Sequence, residues 1–213
     1  MFADDGTLHT IAQTVQQLRA DLQINLDKVM HWCLANKMIL NETKTVSMVI
    51  ATRQKQQLGP LLLDLKIGNN PIKQVASHNV LGVLIDKDLR WHHHIDRVCS
   101  IVLKNLYLLS KLKAVVDREA RKIFFTAHCL SHINYASTVW SGADEVHLKR
   151  LNSLYRRGAK LIISDTNMST EEKIKAAEIL PLRQQFDLNT AVLVYKVIHD
   201  LTPSWDEILK KIN

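Results

Sequence analysis

Leu81-Gly82-Val83-Leu84-Ile85-Asp86-Lys87-Asp88-Leu89-Arg90-Trp91-His92-His93-His94-Ile95 is where this chain changes its pattern, and the change decides the fold class. Before it, apolar residues come in short runs separated by turn residues, of which 79–85 is the last and is expected as one strand. After Trp91 they recur at steps of three and four. Ile95, Val98, Val102, Leu106, Leu109 and Leu112 make one stripe of a helix expected over 92–113. More helices are expected over 118–132, 144–163, 170–180 and 183–201. Ser169 and Glu172 are spaced as a capping box, and Pro203 marks a stop. The chain therefore reads as α+β, with a mixed part over 1–91 and an all-helical part after it.

Upstream of that stretch, 61–67 and 72–75 flank the turn residues Gly68-Asn69-Asn70-Pro71 as a hairpin, and 45–51 is another short β-branched run. Between Thr14 and about Asn36 the residues Val15, Leu18, Leu22, Leu26, Val29, Met30, Cys33 and Leu34 describe an amphipathic helix with one face against a sheet. At the start, 1–3 is the stub of an apolar strand, Asp4-Asp5-Gly6 has turn chemistry, and 7–11 is expected to return as a strand. That places two carboxylates at a hairpin tip. Paired carboxylates there suit a two-metal phosphoryl-transfer site, because hard oxygen ligands hold Mg²⁺ ions about 3.5 to 4 Å apart. The same tripeptide is also an ordinary turn.

Lys and Arg outnumber Asp and Glu by 28 to 21 in 213 residues, a net charge of +7 that favours polyanionic partners without identifying one. Cys33, Cys99 and Cys129 are too few and scattered for a disulfide framework, and no C-x-x-C pair suggests structural zinc, so an intracellular setting is expected. No run approaches about 18 apolar residues, and no membrane association is expected. His92-His93-His94 with Cys99, and His128-Cys129 with His132, lack the acidic neighbour and four-ligand closure of a zinc site and read as polar and packing residues.

Phe2-Ala3-Asp4-Asp5, a helix with Trp32 near its end, Leu40-Asn41-Glu42-Thr43-Lys44-Thr45, then the stretch from Leu81 to Trp91 and finally His94-Ile95 follow one another in an order that resembles the second half of a reverse-transcriptase domain of the non-LTR (LINE-type) retrotransposon kind. Asn134-Tyr135-Ala136 and Val139-Trp140 continue the likeness, which fades after about 165 and covers roughly three quarters of the chain. The resemblance implies the C-terminal half of a polymerase palm over 1–91, with short antiparallel strands and one long helix. A helical thumb-like region over 92–165 and a helical segment of unassigned role over 166–213 follow. The implied partners are an RNA template, a DNA primer and a deoxynucleotide, and the implied cofactor is Mg²⁺.

By the same resemblance Asp4 and Asp5 are the catalytic, metal-binding palm aspartates, and Phe2 takes the place of the usual tyrosine. Lys44 becomes a proton donor to departing pyrophosphate, its alternative being a surface lysine at the start of a strand. Asn41 caps the turn before it. Leu81, Gly82 and Val83 become the primer grip on a strand, Gly82 permitting close backbone approach or marking a bulge. Trp91 is expected to pack rather than to stack on a base. Arg97, Lys104 and Lys111, with Lys113, lie opposite the apolar stripe of their helix and would meet phosphates, as would the cluster Lys149, Arg150, Arg156, Arg157 and Lys160. Any solvated helix face has this composition too.

A palm needs a third metal-binding aspartate, and in the resembled family it lies well upstream with the fingers. The site in this chain is therefore expected to be incomplete without the N-terminal part of the same polyprotein, and the chain inactive alone. Two further readings stay open: a nucleic-acid-binding module without chemistry, and a decayed transposon copy.

Overall fold

The structure is a computed structural model that describes residues 6–57 and 59–202. It is mixed α and β, and it divides into two compact units, Met1–Leu89 and Arg90–Asn213.

The first unit opens on α1 (Val15–Ala35), where the periodicity puts it. Thr14 caps it, its hydroxyl oxygen accepting from the Gln17 N–H at 3.3 Å. Its end closes through Lys37 in the left-handed region (φ 57°), with the Met38 N–H on the Cys33 carbonyl at 2.8 Å and the Lys37 N–H on the Leu34 carbonyl at 3.0 Å. This is a Schellman closure made without glycine. The stripe Val15, Leu18, Leu22, Leu26, Met30 and Cys33 is the less exposed side, yet only Cys33 is fully buried, while Ile24, Trp32 and Leu34 remain exposed.

Beyond α1 come β1 (Val46–Ser47), the short helix α2 (Arg53–Gln57), β2 (Lys66–Ile67), β3 (Asn70–Pro71), β4 (Lys73–Gln74), β5 (Ser77–Val80) and β6 (Val83–Asp86). β1 pairs with β4 in parallel, and β2–β3 and β5–β6 are antiparallel pairs. Three expectations are corrected here. The hairpin around Gly68 (φ 58°) closes within 66–71, because a two-residue turn already reverses the chain, and this frees 73–74 to pair with β1 instead. Residues 79–85 are not one strand but most of the β5–β6 hairpin, turning at Leu81-Gly82 with φ of 47° and 83°. And 7–11 forms no strand; its expected partner, 1–3, lies outside the described residues.

Two glutamine side chains take the place of strand neighbours. The Gln74 amide donates to the Leu61 carbonyl at 2.7 Å and accepts from the Leu63 N–H at 3.0 Å. The Gln23 amide from α1 donates to the Lys66 carbonyl at 2.9 Å and accepts from the Lys66 N–H at 3.0 Å. A primary amide has the donor and acceptor of a peptide group, so each satisfies backbone that short strands leave open. Leu63, Leu65 and Ile67 are the buried apolar residues of the segment that these contacts hold.

In the second unit α3 (His92–Leu112) buries Ile95, Val98, Cys99, Val102, Leu106 and Leu109, while Leu112 at the end of the stripe is exposed. The expected helix over 118–132 is α4 (Arg118–Phe125), capped by the Asp117 carboxylate on the Ala120 N–H at 2.8 Å, then a π-turn (Thr126–Leu130) and α5 (Ser131–Asn134). After α6 (Ser137–Trp140), α7 (Glu145–Ile162) runs against α3 and α4. At Gly158 a Cβ would stand 2.1 Å from the Phe125 ring, so glycine lets α4 and α7 approach.

The expected capping box starts α8 (Thr170–Ala176). The Glu172 N–H meets the Ser169 hydroxyl at 3.3 Å and the Ser169 N–H meets the Glu172 carboxylate at 2.7 Å. This helix stops short of 180, because Glu178 turns left-handed (φ 53°) and the Ile179 N–H reaches the Ile174 carbonyl. α9 (Leu182–Ile198) completes the unit. Trp140 is fully buried, edge-on to His94 at 5.5 Å and to Phe186 at 5.3 Å, and its indole N–H meets the Tyr135 carbonyl at 3.0 Å. Trp91 packs on the same helical core.

Candidate nucleic-acid interface

Phe2, Asp4 and Asp5 lie outside the described residues. Among the described residues no three His, Cys, Asp or Glu side chains converge as ligands for a metal. Lys44 is exposed on the turn that leads into β1 and makes no ion pair among the described residues. Asn41 builds that turn, its carbonyl accepting from the Thr45 N–H at 3.0 Å and its side-chain oxygen from the Lys44 N–H at 3.1 Å and the Thr43 hydroxyl at 2.8 Å.

Leu81 and Gly82 stand at the tip of the β5–β6 hairpin, and Val83 is the buried first residue of β6. Leu81 and Gly82 thus form a turn, and of 81–83 Val83 alone lies in a strand. Both tip residues have positive φ because a two-residue turn of that hand matches the twist of its strands. Asn-Gly is the common sequence for such a turn, whereas here an exposed leucine takes the left-handed position. At the base of the hairpin the Asp86 carboxylate accepts from the Asp88 N–H at 3.1 Å, and the Leu89 N–H meets the Asp86 carbonyl at 3.0 Å. Asp86 is 95% buried, a structural role that its Asp-x-Asp setting signals only as turn chemistry.

In the helical unit Arg97, Lys104 and Lys111 are all exposed on α3. They are seven residues apart, which puts them on one line of the helix with cations about 10 Å apart. Tyr107 lies between the last two, the Lys111 ammonium 5.3 Å from its ring centre, and Leu103 and Leu108 flank it, exposed. Among the described residues no ion pair occupies any of the three. The second basic cluster is divided. Arg150 is held by Asp96 at 2.6 Å and Arg156 by Glu171 at 2.7 Å, Lys160 adds its charge near Glu171, and Lys149 and Arg157 make no ion pair among the described residues. The sequence shows the charges on α7 and α8 but not which of them meet.

The histidine and cysteine groups are placed by packing. His94, Cys99 and Cys129 face the core, and the His128 ring lies 4.6 Å from that of Phe124. Burial, with Arg97 beside it, lowers the pKa of His94. Burial raises the Cys99 thiol and pushes Cys129 and the Tyr155 phenol up to about 12, so none of these is an activated group at neutral pH. No helix of the described residues is long and apolar enough to cross a membrane. No family model, curated protein or solved structure matches the chain.

Proposed function

We propose that this chain is part of an RNA-directed DNA polymerase of the non-LTR retrotransposon kind, carrying the C-terminal half of the palm and a helical thumb that binds the template–primer duplex. The observation that carries the reading is the order of its motifs, from Asp4-Asp5 through Lys44 and Leu81-Gly82-Val83 to Trp91 and His94-Ile95. The unpaired line Arg97, Lys104, Lys111 supports it, because regularly spaced cations on a rigid helix suit sequence-independent contact with phosphates.

Within this reading Asp4 and Asp5 would hold Mg²⁺ with hard carboxylate oxygens. The chemistry that the metal would supply when bound is activation of the primer 3′-hydroxyl and neutralisation of charge on the leaving pyrophosphate. Lys44 gives a proton to that pyrophosphate, a task suited to a mobile exposed ammonium. Leu81 and Gly82 meet the primer backbone, and the α3 line fixes the duplex. Among these 213 residues only two of the three palm carboxylates are recognised, so the chain by itself binds duplex without extending it. A non-catalytic nucleic-acid-binding module is the second reading, favoured by the fact that the α3 line does not depend on Asp4 and Asp5.

The test uses a labelled RNA template annealed to a DNA primer, with Mg²⁺ and deoxynucleotides. The expected result is salt-sensitive binding of the duplex by the 213-residue chain and no extension of the primer. Template-directed extension lost in Asp4→Ala would overturn the incompleteness of the site, and absence of duplex binding would overturn both readings.

A further inference from the structure

In the first unit the outer side of residues 62–66 borders an open cavity of ≈ 440 Å³, a size that takes a small organic ligand. Arg19 from α1 lines it with Leu62, Asp64 and Lys66, and Pro71 and Ile72 add an apolar wall. The alternation of the segment makes this wall. Leu63, Leu65 and Ile67 are buried, which sends Leu62, Asp64 and Lys66 outward.

The backbone behind the cavity is fixed, because the Gln23 amide is engaged with the Lys66 peptide groups and the Gln74 amide with those of Leu61 and Leu63. The cations are not fixed. Arg19 approaches Asp64 only to 3.9 Å, beyond hydrogen-bond length, with the side chains 52% and 65% exposed. Such a pair is worth little in water, and a ligand opens it readily. The Lys66 ammonium makes no ion pair among the described residues.

Two cations beside one carboxylate select an anionic head group, and a phosphate monoester is the anion that a guanidinium and an ammonium hold best together. The carboxylate between them calls for a donor, and ribose hydroxyls are the donors that a carboxylate takes in nucleotide sites. Leu62, 58% exposed, offers apolar area to a ring together with Pro71 and Ile72. Along the segment the wall reads apolar at 62, acidic at 64 and cationic at 66 within at most about 14 Å of chain, the order of ring, sugar and phosphate in a nucleotide.

We propose that this cavity binds a ribonucleoside monophosphate, its phosphate on Arg19 and Lys66, its ribose hydroxyls on Asp64 and its ring against Leu62, Pro71 and Ile72. None of these residues has a part in the polymerase reading, and the inference does not rest on it.

Titration of the full 213-residue chain with adenosine monophosphate, without Mg²⁺, tests it by calorimetry and by the amide NMR signals of 62–66 and 71–74. Adenosine, inorganic phosphate and the 2′-deoxy nucleotide are the comparison probes. The expected result is one saturable site that shifts those amides, with adenosine and inorganic phosphate each about ten-fold weaker or more, and the 2′-deoxy nucleotide several-fold weaker. Arg19→Ala and Lys66→Ala should each weaken the nucleotide about ten-fold with unchanged urea midpoints. Asp64→Gly, which suits the left-handed backbone there (φ 43°), should remove the preference for ribose over deoxyribose. Asp4→Ala should bind the nucleotide as the parent does, which separates this site from the polymerase reading. Absence of saturable binding would overturn the proposal, as would parental affinity in both cation variants. Inorganic phosphate bound as tightly as the nucleotide would overturn it too, and would reduce the site to a patch for simple anions.

Discussion

Leu81 occupies a backbone position that suits asparagine or glycine far better than leucine, with φ at 47° and half of its side chain exposed. An L residue in this region carries a strain of about 1 kcal/mol. Leu81→Asn is therefore expected to raise stability by about 1 kcal/mol while weakening the template–primer complex several-fold. Urea unfolding and duplex titration of the same variant read both effects. A variant that gains stability and binds as the parent does would show that Leu81 touches no nucleic acid. Gly82 beside it was legible in sequence as a special backbone position, but the hairpin was not, because Leu-Gly lacks the usual signal of Asn-Gly.

Among the elements, the long helices were the most legible part of the chain. α1, α3 and α7 follow from apolar residues at steps of three and four, and the α8 start from Ser169 and Glu172. The strands were less legible. Much of the 61–67 segment is held by side-chain amides rather than by a neighbouring strand, and periodicity carries no trace of such a contact. The closures of α1, α8 and α9 carry no glycine signal, since Lys37, Glu178 and Asp200 stand where glycine would announce them, although Pro203 still marks a stop after α9. Of the interface, the charges on α3 were legible from position alone. The pairing of Arg150 with Asp96 and of Arg156 with Glu171 needed the three-dimensional arrangement.

The glutamine contacts yield their own expectation. Gln74→Ala leaves the N–H of Leu63, a residue 99% buried, without its acceptor, at a cost of about 1 to 3 kcal/mol. The Leu63 amide should then exchange markedly faster than in the parent. Unchanged exchange there would mean that the amide does not hold the segment.

For the whole molecule, acid and salt are the two informative variables. Because His94 is buried beside Trp140 and near Arg97, its folded-state pKa lies below its unfolded one, and the unfolded chain takes up this proton first as pH falls. The contribution of His94 to stability is complete above about pH 6.5 and declines as the solution is acidified toward the lower folded pKa. His94→Phe keeps a ring against Trp140 and removes the titration. Its urea midpoint should fall less between pH 7.5 and 5 than the parent's, and an equal fall in both would assign the acid response elsewhere.

Salt bears on the central claim, that the exposed cations of α3 hold a nucleic-acid duplex. The most direct measurement is the salt dependence of template–primer affinity for the parent chain and for Arg97→Ala/Lys104→Ala/Lys111→Ala. If each cation meets a phosphate, the slope of log K against log salt should become shallower by about one per residue, roughly three in all, with weaker binding at every salt concentration and an unchanged fold. A triple variant that binds with the parent's slope and affinity would contradict the account.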